Sequence, residues 1–506
     1  MIIPGKLVSR ISKSGHDLYQ VSGEGRSCVM EDRYIYLFPF EKIKNGSNIL
    51  IYGAGILGQE YLKQIQITNY CKVVGFLDQN YEKYDSTLIP VFSPEKASDI
   101  DYDKVVIALR NEHALLEVKR VLLENNVSED DIVCVFQRNT NVFDYFQSEK
   151  DDIQDLKYAF ESDGISVALY CIGGFGDAII QKKFITTLIG MSQKCIVDIY
   201  HIKADAFLPH LYNKEGNINE FINDNGVLYH KLLDKYVMGI TVRGMVLEVD
   251  WVDDTRLKSL DYSLQEKIAR LKMFIKNENL SLNIPSYVGF SRRIYNGENC
   301  YTSFSNGGIF TINNNRVDIP LDSNYIEKYN QMSFSGYNYI TINCGNGDSQ
   351  NYKLLAKTWA PKYYEETVAL IKNYYPELQV VQVGGRDVYR IEGADSYMLG
   401  ENIELVKYIL KDSILHLDIE GGLVHLATQL GTKCIVLFGP TDERFYGYTQ
   451  NINIKAGKCH GCYGLYTDIN KCARGMEKPE CMYSITPALV LEEINKYLST
   501  KSVLTD

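Results

Sequence analysis

A chain of 506 residues spans about three average domains at roughly 150 residues each, which excludes miniature disulfide-stapled folds. With 45% hydrophobic and 23% charged residues it can bury large cores, so global disorder is excluded as well. The 53 Lys and Arg against 64 Asp and Glu give a net charge of −11 without any basic block, which argues against a nucleic-acid partner.

Residues 1–46 form an N-terminal segment whose opening, MIIPGKLVSRISKSGHD, has no signal-peptide apolar core. No uncharged apolar run approaches the roughly 18 residues of a membrane span, so the expectation is a cytoplasmic protein without a transmembrane segment. Residues 47–140 alternate β-rich runs with amphipathic stretches (NILIYGAG, ILGQEYLKQI, CKVVGFLD, KVVIAL, EVKRVLLENN, IVCVF), the pattern of a parallel sheet with crossover helices. Inside this unit Gly53-Ala-Gly55-Ile-Leu-Gly58 follows the strand NILIY, and Asp78 ends the next strand twenty residues past Gly58. That spacing suits a nucleotide: a tight turn at Gly53, close backbone approach at Gly55, helix packing at Gly58, and a carboxylate for ribose hydroxyls at Asp78. The segment resembles Rossmann domains of bacterial polysaccharide-biosynthesis proteins, in which a GAGxxG turn precedes a GFLD-like strand end. Short-chain oxidoreductases and epimerases add a Tyr-x-x-x-Lys pair, and between 59 and 330 no Tyr has Lys four positions later. A binding or docking unit is therefore favoured over a redox one, with NAD(P) or another nucleotide left open as its ligand.

Residues 141–163 are polar and read as a linker. A second α/β unit, 164–335, opens with ISVALYCIGGFGDAIIQKKFITTLI, an apolar strand that enters a Gly-rich turn and leaves as a helix. Its 281–340 stretch, rich in Asn, Gly, Ser and Tyr, is expected to hold irregular strands and the crossing between two halves. A third unit, 336–506, runs through YNYITINCG, LQVVQVGG, SILHLDI and TKCIVLFG. The fold class is thus α/β, three Rossmann-like units in series.

Chemistry-bearing residues gather at strand ends. Gly173-Gly174-Phe-Gly176-Asp177 places a carboxylate at a helix start, able either to cap the helix or to take a proton from a substrate hydroxyl. Lys357-Thr-Trp359-Ala-Pro361, Glu420-Gly421-Gly422-Leu-Val-His425 and Phe438-Gly439-Pro440-Thr441-Asp442 each follow a strand of the third unit, where open α/β sheets bind ligands. His425 reads equally as a buried core histidine or a donor contact, and Gly385-Arg386-Asp387 is a loose candidate for the base or ribose.

GGFGDAI, KTWAP, EGGLVHLATQLG, VLFGPTDE and the closing Cys481-Met-Tyr-Ser-Ile-Thr-Pro487, in this order over about 165–490, together resemble glycosyltransferase family nine, the ADP-heptose:lipopolysaccharide heptosyltransferases and relatives. The resemblance implies a GT-B fold, two Rossmann-like domains facing across a cleft, with 164–335 on the acceptor side and 336–506 on the donor side. It implies Asp177 as general base and Lys357 as the cation that neutralises the diphosphate. Donor contacts would come from Gly174, Gly176, Glu420, Gly421, Gly422, His425, Gly439, Pro440 and Thr441. Where the family usually carries Asp this chain has Glu420, which leaves the identity of the donor sugar open. The implied donor is a nucleotide sugar of the ADP-heptose kind, the acceptor a hydroxyl of a glycan or protein, and no catalytic metal is required.

Cys459, Cys462, Cys472 and Cys481 fall in a C-x2-C-x9-C-x8-C pattern, a set that can wrap one structural zinc or iron ion or remain reduced thiols. Some relatives of the resembled family that glycosylate autotransporter proteins hold iron on cysteines. Arg474 and Lys478, between the last two cysteines, are candidates for an acceptor or subunit surface, and a homo-oligomer is possible. The competing readings are a nucleotide-sugar oxidoreductase or epimerase working through the Gly53 loop, and a metal-stabilised scaffold with a degenerate cleft.

Overall fold

The computed structural model describes residues 38–39, 42–68, 70–84, 89–109, 112–134, 164–212, 216–278, 293, 297–345, 356–455, 457, 459–463, 472 and 474–500. The expected linker 141–163 and nearly all of the N-terminal segment lie outside them. Among the described residues three sheets form, each by the same rule.

The first sheet contains β1 (Asn48–Tyr52), β2 (Lys72–Leu77), β3 (Val91–Phe92), β4 (Lys104–Ile107) and β5 (Ile132–Val133), all parallel in the order β3-β2-β1-β4-β5. Its strands bury both faces, with Ile49, Ile51 and Phe76 in one core and Leu50, Leu77 and Val105 in the other. Runs such as NILIY are therefore continuously apolar rather than alternating.

The second sheet has β6 (Ile165–Ile172), β7 (Cys195–His201), β8 (Ile218–Asn223), β9 (Met238–Arg243) and β10 (Val246–Val252) in the order β10-β9-β6-β7-β8. All neighbours are parallel except the β9–β10 hairpin. The third has β11 (Tyr339–Ile342), β12 (Gln379–Gly384), β13 (Ser396–Leu399), β14 (His416–Ile419), β15 (Cys434–Phe438) and β16 (Ile452–Lys455), all parallel in the order β13-β12-β11-β14-β15-β16. Counted within each unit this is the doubly wound 3-2-1-4 arrangement, whose strand order reverses between β6 and β9 and between β11 and β14. Ligands of such sheets bind outside the carboxyl ends of the strands at that reversal.

The second and third units share one continuous core. Ile179, Phe184 and Leu188 of the helix Phe175–Met191 belong to it together with Val424 and Leu426 of the helix Gly422–Gln429. Each such side chain contributes about 1.5–3 kcal/mol relative to exposure. Where these helices meet the packing is tight: a Cβ on Gly176 would stand 3.1 Å from the Gly422 Cα and 3.0 Å from the His425 ring.

Two buried lysines tie in the crossover between the units. Lys407, fully buried, donates to the His210 carbonyl at 2.5 Å, the Pro320 carbonyl at 2.8 Å and Glu404 Oε1 at 2.8 Å. The Glu404 carboxylate also meets His210 Nδ1 at 2.7 Å. Lys182 donates to the Leu211 and Asp318 carbonyls at 2.5 and 2.8 Å.

Of the 281–340 stretch, 281–292 and 294–296 lie outside the described residues, and it ends in the first residues of β11. Over 297–338 the chain forms the 3₁₀ turns Thr302–Ser305 and Ser323–Tyr325 and the helix Ile326–Asn330. The cause is local: Asn299 Oδ1 accepts from the Tyr301 and Thr302 amides, and Asp322 Oδ1 from the Asn324 amide, so side chains satisfy backbone groups that a ladder would otherwise claim.

Candidate active site

The ends of β6, β11 and β14 open onto one cleft of about 680 Å³, within the range of small-molecule sites. Gly173, Gly174, Gly176 and Asp177 line it from the second unit, and Lys357, Glu420, Gly421, Gly422 and His425 line it from the third.

Asp177 sits in the first turn of the helix Phe175–Met191, three residues past its Gly174 cap, and its Oδ2 accepts the Gly174 N–H at 2.8 Å. The preceding turn cannot carry a side chain, because Gly173 has φ of +148° and a Cβ there would lie 2.4 Å from the Asp177 Cβ. His201, fully buried, holds that turn from below. Its Nδ1 accepts the Lys203 amide at 2.9 Å, which places the ring hydrogen on Nε2, 3.2 Å from the Gly173 carbonyl. One Asp177 oxygen thus caps the helix, and the residue also lines the cleft.

Lys357 follows β11 and stands two residues before Trp359, which is fully buried, donates from Nε1 to the Ile485 carbonyl at 2.8 Å and packs edge-on against Tyr364. Pro361 opens the next helix, where its missing N–H costs nothing. Lys357 Nζ stands 3.5 Å from the Glu420 carbonyl and 3.7 Å from Glu420 Oε2, while His425 Nε2 lies 3.4 Å from Glu420 Oε1.

The two carboxyl groups are driven in opposite directions. Burial raises the pKa of Asp177; the Gly174 N–H opposes it, the Glu420 charge adds to it, and the result stays above the ordinary Asp value. Burial works against ionisation of Glu420 too, but Lys357 and His425 outweigh it and hold that carboxyl below the usual range. Paired carboxyls pushed apart in this way take different roles, one moving a proton and one staying ionised.

Some candidates stand elsewhere. Gly439, Pro440 and Thr441 are not among the residues lining the cleft; Pro440 borders the cysteine cavity, and a Cβ on Gly439 would meet Met482 Sδ at 2.3 Å. Of the Gly385-Arg386-Asp387 turn, Gly385 lines the cleft. Sequence reading missed Asn343, Asp418 and Tyr446, all cleft-lining. Asn343 Nδ2 donates to Asp418 Oδ2 at 2.9 Å, and nothing but their places at strand ends signalled them.

Cys459, Cys462, Cys472 and Cys481 converge on a cavity of about 10 Å³, bordered also by Arg474. The Cys459 thiol is held below its usual pKa by the Cys481 S–H and Arg474, and Cys481 is pushed up by its neighbour and by burial. Among the described residues no three ligating side chains stand at metal-holding spacing. Arg474 is largely buried and pairs with Glu480 at 2.5 Å.

In the first unit, Asp78 Oδ2 accepts the Ala54 N–H at 2.9 Å and Oδ1 the Asn80 N–H at 2.8 Å, so this carboxylate braces the Gly53 turn itself. A Cβ on Gly58 would fall 1.8 Å from the Gly53 carbonyl oxygen, whereas one on Gly55 would meet open space. No helix among the described residues is long and apolar enough to cross a membrane.

Residues 45–133 match the family model of the C2185-like N-terminal domain. No curated protein matches the chain. Among solved structures the chain is similar to E. coli ADP-heptose LPS heptosyltransferase II, at 15% identity and a TM-score of 0.42, covering 67% of this chain and 100% of that one. It is also similar to a family 9 glycosyl transferase from Veillonella parvula DSM 2008, at 12% identity and 0.35, over 58% and 87% of the two chains. A third is TibC, an iron-containing dodecameric glycosyltransferase from enterotoxigenic E. coli H10407, at 14% identity and 0.44, over 67% and 77%. These solved structures are heptosyltransferases and relatives, the family that the motifs resemble.

Proposed function

We propose that the chain is an inverting glycosyltransferase that moves a sugar, a heptose or a relative, from a nucleotide-sugar donor to a hydroxyl of a glycan or protein acceptor. The observation that carries this is the presence in one cleft of a carboxyl with a raised pKa, Asp177, and of a Glu420 with a lowered one paired with Lys357.

Asp177 accepts the proton of the acceptor hydroxyl as its oxygen attacks the anomeric carbon from the face opposite the nucleotide. The bond from that carbon to the phosphate oxygen breaks, and the nucleoside diphosphate leaves with the electron pair. Lys357 and the amides at the start of the helix Gly422–Gln429 meet the charge that develops there, an effect of about 3–4 kcal/mol per preorganised donor. Glu420 accepts hydrogen bonds from donor-sugar hydroxyls; its extra methylene relative to Asp extends that reach.

The four cysteines border one cavity and are a soft donor set of the kind zinc or iron takes, and they would have to draw together to ligate an ion, since no three ligating side chains among the described residues stand at metal-holding spacing. Cys459, Cys462, Cys472 and Cys481 would hold such an ion in a structural role, away from the reacting atoms. Elemental analysis of wild type and Cys459→Ser tests this: about one ion per chain is expected, falling in the variant.

For the transferase reading, nucleotide sugars are screened for donor hydrolysis and transfer, and the anomeric configuration of the product is read by NMR. Hydrolysis or transfer with inversion is expected. No turnover of any nucleotide sugar, or retention of configuration, would overturn it.

A further inference from the structure

Behind Glu420 a file of polar contacts runs to the crossover. His425 Nε2 lies 3.4 Å from Glu420 Oε1, and His425 Nδ1 lies 2.8 Å from the Tyr448 hydroxyl. The hydroxyls of Tyr448 and Tyr301 are 2.7 Å apart, and Gln429 Nε2 stands 2.9 Å from that of Tyr301. His425, Tyr448 and Tyr301 are all buried, so water does not compete for these bonds.

The direction of every bond follows from the far end. Gln429 sits between two backbone groups of fixed polarity: the Val317 N–H donates to Oε1 at 3.0 Å, and Nε2 donates to the Asn315 carbonyl at 2.9 Å. Turning the amide over would face donor to donor and acceptor to acceptor. The second N–H of Gln429 therefore donates to Tyr301. Tyr301, receiving there, gives its hydrogen to Tyr448, and Tyr448 gives its own to His425 Nδ1. The ring hydrogen of His425 then lies on Nε2, facing Glu420.

We propose that Tyr448 and Tyr301 are positioning residues that fix the His425 tautomer, so that Nε2–H holds Oε1 of Glu420 and leaves Oε2 to Lys357 and the donor sugar. This rests on the reading of Glu420 as a donor-sugar contact. It adds a specificity rule: Glu420 faces the ligand as a hydrogen-bond acceptor, so the sugar must bring a hydroxyl there, and a donor deoxygenated at that carbon is disfavoured.

The test uses the full chain with ¹⁵N-labelled histidine, whose ring nitrogen shifts report the tautomer; His425→Gln assigns the signal. Wild type is expected to carry the His425 hydrogen on Nε2. Tyr448→Phe removes the donor to Nδ1 and is expected to give a mixture of tautomers. In Tyr301→Phe the Tyr448 hydroxyl can still accept from Gln429 Nε2, 3.5 Å away, and donate onward, so the tautomer is retained. With ADP-heptose as the hydrolysis probe, kcat/KM is expected to fall about tenfold in Tyr448→Phe and less than about threefold in Tyr301→Phe. A role in packing alone would give similar losses in both variants and an unmoved tautomer.

A wild-type hydrogen on Nδ1, or an unchanged tautomer in Tyr448→Phe, overturns the proposal. If Tyr448→Phe does not fold, the wild-type spectrum decides. If wild type leaves ADP-heptose intact, this donor assignment fails, while the spectra still decide the hydrogen-bond relay.

Discussion

Asp177→Asn separates the two jobs of this side chain. Asn keeps the shape and an oxygen that can accept the Gly174 N–H, now at 2.8 Å, so the turn after β6 should hold. What disappears is the proton acceptor, and general-base catalysis is worth about 10²–10⁴ in rate. The variant also loses a buried negative charge that repels Glu420. For a carboxyl whose folded pKa is raised, ionisation above that pKa weighs against folding, so at neutral pH the variant should melt no lower than wild type. The assay pairs transfer kinetics with thermal melting and equilibrium donor binding. The expected triplet is transfer down at least 100-fold, donor affinity within about twofold, and an equal or higher melting temperature. If Asp177 is only a helix cap, the triplet inverts: transfer persists and stability drops by about 0.5–1 kcal/mol as the charge–dipole interaction is lost. That result would refute the base assignment.

Three further outcomes follow from the same geometry. Lys357→Ala should weaken donor binding and cut kcat/KM by about 10²–10³; because Lys357 is the strongest influence lowering the Glu420 pKa, the variant should also be less stable at neutral pH, with the gap closing as pH falls and Glu420 protonates in both proteins. Lys407→Met should destabilise the chain by about 3–5 kcal/mol in chemical denaturation, since Glu404 loses its buried partner and the His210 and Pro320 carbonyls lose their donor; a change below about 1 kcal/mol would show that the crossover is held by other contacts. Asp250 is pushed up to about 6 by burial, against the opposing Thr241 and Tyr229 hydroxyls. Its folded pKa exceeds the unfolded value of about 3.9, so its ionisation costs stability above pH about 6 and that cost is relieved as pH falls toward about 4. Melting of wild type against Asp250→Asn from pH 7.5 to 5 should therefore show wild type gaining relative to the variant, and parallel curves would contradict the assignment.

What the sequence disclosed, and what it hid, divides along a physical line. Strands such as YITI and CIVLF are legible because a parallel sheet covered on both faces demands unbroken apolar runs. Asp177, Lys357 and Glu420 are legible because they follow those strands at the positions where an open sheet presents its ligand. Lys407 is different: in IELVKYILKD it looks like an ordinary solvent-facing helix residue, and it is buried only because His210 and Pro320 come from distant parts of the chain. Tyr301 and Tyr448 are 147 positions apart, so no local pattern could pair them. The turns over 297–338 leave no period in the sequence, because Asn299 accepts from the Tyr301 and Thr302 amides and Asp322 from the Asn324 amide, taking backbone groups that a ladder would use.

The most direct test of the whole account is a crystal structure of the Asp177→Asn protein with an intact nucleotide sugar, ADP-heptose first. The account predicts the diphosphate within hydrogen-bond reach of Lys357 Nζ, a sugar hydroxyl on Glu420, and the anomeric carbon open toward residue 177. A nucleotide seated away from Lys357, or a sugar whose anomeric carbon faces away from residue 177, would contradict it.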